Sequence, residues 1–258
     1  ADGASNPEQH HMTNSDLLRG EALFTAAFRT PGLLHLHFVR SQYAAARIVA
    51  VQTDEAKAFP GVVAVFCAED LAIVPVWEIA LLPEDFAQPP LAGNLVRYVG
   101  EKVVAIVAES PAIAIDAAEL VVIEYEPLPA LTDMRDIGLD TSTVLFSDHP
   151  SNVCLQWPSD NPNPDLTGTD VVTSVSHSIP RLSCAPIEGH AIVATPQPGD
   201  RLEILVSTQV PVAAQRQIAR SLQMELSKVR VVVPNVGGGF GGKAAGAVCE
   251  HVVVAAAA

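Results

Sequence analysis

Branched and aromatic residues cluster in short blocks along the first half of the chain, and polar residues break the blocks apart. Leu33-Leu34-His35-Leu36-His37-Phe38-Val39 and Arg47-Ile48-Val49-Ala50-Val51 predict strands. Thr53-Asp54-Glu55 then offers an N-cap with carboxylates in the first turn of a helix to Phe59. Pro60-Gly61 closes that helix, and Val62-Val63-Ala64-Val65-Phe66 predicts the next strand. Lys102 to Ala108 is a near-continuous apolar strand. Ser110 caps a helix with Pro111 at its first position, which runs to Glu119, and Val121 to Tyr125 returns as a strand. Alternating strands and helices over residues 17–132 predict an α/β unit, preceded by a polar tail over residues 1–16.

Between Thr132 and Thr169 the texture changes. Pro150, Pro158, Pro162 and Pro164 stand among Asn, Asp and Ser with no period, which predicts a Pro-rich linker over residues 133–168. A second unit over residues 169–258 begins with Val171 to Ile179, which alternates like a strand. Ala191 to Thr195 and Arg201 to Ser207 flank a Pro-Gly-Asp turn as a hairpin, and Pro211 opens a helix to about Met224. Val229 to Val233 is one more strand, and it runs into a dense glycine segment followed by an apolar, helix-like tail.

Charge narrows the function classes. With 29 acidic and 15 basic residues the chain carries −14, without the clustered Lys and Arg that nucleic acid or an anionic membrane surface demands. No apolar leader precedes residue 14, and the expectation is a cytoplasmic protein. Cys67, Cys154, Cys184 and Cys249 form no C-x-x-C pair, which predicts reduced thiols rather than a zinc or iron–sulfur site.

The candidate chemistry lies in Gly237-Gly238-Gly239-Phe240-Gly241-Gly242-Lys243, where absent side chains let N–H groups converge on an anion. A phosphate-binding P-loop fits Gly237, Gly242 and Lys243 but puts Ala244 where a metal-binding hydroxyl belongs. A dinucleotide fingerprint fits Gly237, Gly239 and Gly242, yet its acidic residue about twenty positions on is not in the sequence. A tightly packed glycine turn without a ligand is the plain alternative.

A third template covers more residues. The loop with Val229 to Val236 before it resembles the pterin-cofactor loop of the xanthine dehydrogenase and aldehyde oxidase family of molybdenum hydroxylases. Ser207-Thr208-Gln209 is similar to that family's Ser-Thr-Gln, and Arg97-Tyr98-Val99-Gly100-Glu101 looks like its Arg-Tyr-Val-Gly-Glu. Pro31-Gly32-Leu33-Leu34-His35, Phe38-Val39-Arg40-Ser41 and Phe59-Pro60-Gly61-Val62 follow in family order. The resemblance implies an α+β fold: an α/β-hammerhead domain, then the incomplete start of a molybdopterin-binding domain.

It also implies a function, the oxidation of an aldehyde or N-heterocycle with water as oxygen source. The implied cofactor is molybdenum–molybdopterin, as such or as its cytosine dinucleotide, with FAD and 2Fe–2S clusters on partner subunits. Gly238, Gly239, Phe240 and Gly241 would lie against the cofactor, Gln209 would donate to an oxygen on the metal, and Phe240 would wall the substrate channel. No residue ligates the metal directly. The family's general base, a glutamate, lies beyond this sequence, so the expected partner set includes the remainder of the molybdenum subunit. A lone chain is expected to be inactive. In xanthine-type members a glutamate follows the loop lysine, where Ala244 stands here. Two rival readings stay open, a non-catalytic assembly subunit or orphan fragment with the hammerhead fold, and a nucleotide-binding module.

Other polar residues carry plainer expectations. His35 and His37 share a strand face without a third ligand, and Glu250-His251 lies on a helix face with surface or packing roles. Glu188 and His190, within Pro186-Ile187-Glu188-Gly189-His190, resemble the family's Pro-Leu-Glu stretch and are candidates for a structural role beside the cofactor.

Overall fold

Lys102–Ala108 (β5) is buried along its whole length, as an apolar strand covered on both faces must be. The computed structural model describes residues 14–76, 82–136, 143–146, 149–155, 165–180 and 182–258. In it β5 lies between His35–Arg40 (β1) and Val62–Phe66 (β3), antiparallel to both. A second sheet sets Ala46–Gln52 (β2) between Leu95–Val96 (β4) and Val122–Pro127 (β6), again antiparallel. Pro111–Ala118 (α3) carries the chain from one sheet to the other, so the strand–helix–strand pattern builds two antiparallel sheets rather than a parallel one. Ser110 Oγ caps α3 by accepting the Ile113 N–H at 3.3 Å. Thr53 does not cap Asp54–Ala58 (α2) with its side chain; only its carbonyl enters the first turn, accepting the Lys57 N–H. Val104 and Ile106 of β5 share one core with Val65, Ala46, Ala56 and Ala117.

The second unit is built on Ile192–Gln197 (β7) and Arg201–Val206 (β8), an antiparallel hairpin in the expected register. Val229–Val232 (β9) joins β8 in parallel, with Pro211–Ser221 (α4) as the crossover. Cys249–Ala257 (α5) is a wedge between the two units. Its Val252 and Ala255 pack with Ile204, Val206 and Ile218, while Val253 packs with Ala105, Leu36 and Phe38 on the outer face of the first sheet. The two units are therefore joined by one shared helix.

Two expectations need correction. Val171 to Ile179 forms no strand: the segment is exposed and without ladder partners among the described residues, so its alternation has no second strand to pair with. Asn14–Arg19 (α1) starts inside the polar tail. Within residues 133–168 the described parts contain one regular turn, Met134–Asp136. Phe146 folds back from there onto the first unit, its ring 4.9 Å from that of Phe86, with the Arg97 guanidinium 4.8 Å over its face. No described helix is long and apolar enough to cross a membrane.

Candidate functional site

Because β8 and β9 run parallel, both leave the sheet at the same edge, the edge where open α/β sheets place ligands. Ser207-Thr208-Gln209 follows β8, and the glycine loop follows β9. The Gln209 side chain lies across Gly239 so closely that a Cβ there would come within 2.4 Å of Oε1 and 2.7 Å of Cδ. The loop then folds through two tight turns, Gly242 N–H to Gly239 C=O at 2.8 Å and Ala244 N–H to Gly241 C=O at 3.1 Å. Gly241 holds φ at +84° and Phe240 at +48°, the left-handed region that a side chain strains to occupy. The Phe240 ring is left 77% exposed.

Beneath the loop is a buried polar cluster. Glu188 Oε2 accepts from the Ser207 hydroxyl at 2.6 Å and the Gly237 N–H at 2.8 Å. Lys243 Nζ donates to the Glu188 carbonyl and to Ser207 Oγ, both at 2.7 Å, and lies 3.4 Å from Glu188 Oε2. Burial would push the Glu188 carboxyl up, but the Ser207 hydroxyl, the Gly237 and Ala26 N–H groups and Lys243 together hold it below the usual carboxylate range. The sequence resemblance pointed to Glu188. What it missed was the connection to Lys243, visible only as an isolated acid and an isolated base in largely apolar flanks.

This geometry decides between the loop's readings. Lys243 is 2% exposed and bonded to Glu188 and Ser207, so it cannot reach a phosphate as a P-loop lysine does. The dinucleotide fingerprint needs a helix opening within the glycines, yet α5 begins only at Cys249. Among the described residues the N–H groups of Gly238, Gly239, Phe240 and Gly241 donate to no protein acceptor, and neither does Gln209 Nε2. Five donors beside a glycine that the Gln209 side chain overlies make a cradle that fits an anionic, oxygen-bearing group.

Residues 19–129 match the family described as "Aldehyde oxidase and xanthine dehydrogenase, a/b hammerhead domain", and residues 145–258 match "Molybdopterin cofactor-binding domain". The chain belongs to the xanthine dehydrogenase and aldehyde oxidase family of molybdenum hydroxylases. It is 36% identical over 252 residues to the 6-hydroxypseudooxynicotine dehydrogenase complex subunit gamma of Paenarthrobacter nicotinovorans, a match covering 94% of this chain and 31% of that one. Among solved structures it is similar to quinoline 2-oxidoreductase from Pseudomonas putida 86, at 32% identity and a TM-score of 0.79 over 89% of this chain and 30% of that one. It is also similar to CO dehydrogenase from Oligotropha carboxidovorans, at 28% identity and a TM-score of 0.85 over 94% of this chain and 32% of that one. This molybdenum hydroxylase chain thus spans about 30% of the length of these relatives. The expected α+β class, hammerhead first and part of a molybdopterin-binding domain second, is what the chain has.

The remaining candidates fall outside the cradle. His35 and His37 lie on β1, and no group of three potential metal ligands occurs among the described residues. Glu250 leaves α5 to meet Arg40 at 3.0 Å and Lys102 at 3.5 Å, a link to the hammerhead that its position on a helix face did not reveal. His251 is buried, its Nδ1 facing the Val248 N–H at 3.4 Å and its Nε2 unpartnered among the described residues. The exposed His190 stacks edge-on against it, with ring centroids 5.5 Å apart. Burial, reinforced by His190 and opposed by Glu250, pushes the His251 imidazole down to about 4.

A pH dependence follows from that depression. The unfolded chain takes up a proton on His251 near the ordinary value of 6.5, whereas the folded chain resists until about 4. Stability therefore falls as pH drops through this window, by roughly 2 kcal/mol between pH 6.5 and 5. The carboxylates of Glu188 and Glu250, both held low, add their losses only at more acidic pH. Urea unfolding at the two pH values should show a smaller drop in His251→Leu than in the parent chain; equal drops would rule His251 out as the source. His37 and His190, also held low, act in the same direction in both proteins.

Proposed function

We propose that the chain is the part of a molybdenum hydroxylase large subunit that grips the molybdopterin cofactor at its reacting end, in an enzyme oxidising an N-heterocycle or an aldehyde. The observation that carries the reading is the row of donors at Gly238 to Gly241 without protein acceptors among the described residues, next to Gln209 Nε2, which lies over Gly239. When bound, the molybdenum–pterin group supplies the two-electron oxidation that places a water-derived oxygen on carbon. The chain's own part is to hold and orient. The loop N–H groups and the Gln209 amide would donate to the cofactor's acceptor edge, fixed in advance and therefore free of reorganisation cost. The exposed Phe240 ring offers the approaching substrate an apolar wall.

Two relatives whose names state a quinoline and a hydroxypseudooxynicotine support the N-heterocycle class. Ala244 supports it further. It is exposed and borders a groove of about 690 Å³ with Val210, Pro211 and Val212, so it offers no acceptor to a purine edge. FAD and 2Fe–2S clusters on partner subunits, and a general base from the remainder of the large subunit, complete the proposed enzyme.

The test is metal and pterin content of the subunit containing this chain, followed by turnover. Stoichiometric molybdenum with faster oxidation of quinoline than of hypoxanthine is the expected result. Absence of both metal and pterin from a folded subunit would move the reading to a non-catalytic assembly role, and efficient hypoxanthine oxidation would remove Ala244 from the argument.

A further inference from the structure

Every polar atom of Lys243 is bonded into Ser207-Thr208-Gln209. Nζ donates to Ser207 Oγ, the carbonyl accepts from Thr208 Oγ1 at 3.2 Å and from the Gln209 N–H at 3.1 Å, and the Lys243 N–H donates to Gln209 Oε1 at 3.3 Å. The side chain is 2% exposed, and Glu188 answers its charge while also holding the Gly237 N–H at the far end of the loop. One residue thus ties both ends of the glycine segment to the end of β8.

The consequence for Gln209 is directional. A primary amide has one accepting and one donating edge, and either can be presented outward. With Oε1 committed to the Lys243 N–H, the donating Nε2 edge is the one left facing outward. We infer that Lys243 is the positioning residue of this site: its buried Nζ, anchored on Glu188 and Ser207, pins the Lys243 peptide where it catches Oε1 and so presents Gln209 as a donor. The alternative is that the backbone holds Gln209 unaided, with the buried pair serving only stability. The inference rests on the proposed function for its chemical meaning but not for its geometry.

The two are separated by NMR on the 15N-labelled chain. Gln209→Ala, at an exposed position, identifies the Gln209 side-chain amide and should speed exchange of the Lys243 N–H at least tenfold; an unchanged rate would show that the bond is not held in solution. Lys243→Met leaves Glu188 buried without its partner and is expected to be unstable. The double variant Lys243→Met/Glu188→Gln removes both charges and should recover most of that stability. In it the Gln209 amide resonances should still move to the position of a solvated amide, while the amides of β1 and β5 stay in place. Native Gln209 resonances in the folded double variant would overturn the inference, because the pair would then contribute stability alone. If neither charge variant folds, an unchanged Lys243 exchange rate in Gln209→Ala still overturns the inference, because the bond it depends on would be absent. Molybdenum content of the complete subunit reports on the functional reading separately: a metal-free parent with the expected resonance shifts would sink that reading and leave the positioning role standing.

Discussion

Gly239→Ala in the complete subunit is expected to lose about 10²–10³ in kcat while scarcely changing the unfolding midpoint. The added Cβ would meet Gln209 Oε1, Cδ and Cγ at 2.4, 2.7 and 2.9 Å. Gln209 is exposed, so it can swing away with little cost to the fold. What it cannot do is swing away and still present Nε2 over the loop. Gly241→Ala should behave in the opposite sense. Its Cβ enters open space, but φ of +84° imposes strain of about 1–2 kcal/mol, so stability falls and the rate is affected less. Kinetics and urea unfolding of the two variants side by side check the pair. A Gly239→Ala enzyme with the parent rate would place Gln209 outside the site.

The second large effect concerns stability and lies away from the cradle. Lys102 has only 6% of its side chain exposed, and its ammonium is held by Glu250 at 3.5 Å and the Tyr98 hydroxyl at 3.3 Å. Glu250→Ala leaves that charge buried beside the Tyr98 phenol and Cys249 without a carboxylate, and a loss of about 3–5 kcal/mol is expected. Arg40→Ala removes the exposed partner of the same carboxylate and should cost under about 1 kcal/mol. Adding Lys102→Met to Glu250→Ala should restore much of the loss, because a thioether needs no counter-charge. Burial raises the Glu250 carboxyl, but Lys102 and Arg40 overcome that and hold it below its ordinary value. The stabilisation is therefore present above the unfolded pKa and is lost as pH falls through the folded one. Urea midpoints at neutral pH test the series; equal losses for Glu250→Ala and Arg40→Ala would mean that Lys102 is not dependent on Glu250.

Local signals carried far in this sequence where the relevant physics was local. The apolar run over 102–108 and the Ser110–Pro111 helix start were legible because a buried strand and a capped first turn depend on a few adjacent residues. The glycine loop was legible because dense glycine serves few other purposes. Pairing was not. Val171 to Ile179 has the period of a strand, yet a strand is defined by its neighbour, and the sequence does not say whether one is present. The two-residue strand β4 was invisible for the converse reason, since the Arg47–Leu95 and Ala46–Val96 pairs create it without any run of its own. Ala244 already spoke against Lys243 as a phosphate ligand, but its actual partner Glu188 lies 55 positions away and only the fold brings them together. Glu250 was given a surface or packing role without a partner, because Lys102 is 148 positions away.

The wedge position of α5 sets the order in which the protein can be finished on the ribosome. Leu36, Phe38 and Ala105 share a buried cluster with Val253, so the cover of that face, begun by Leu71, Ile73 and Leu91, is completed only when α5 has been made. With Lys102 and Glu250 148 positions apart, synthesis at about 5–20 residues per second leaves that cover incomplete for roughly 7–30 s. Nascent chains of this subunit should therefore engage a holding chaperone after β5 emerges and release it once α5 docks, which makes the hammerhead a domain completed by its successor.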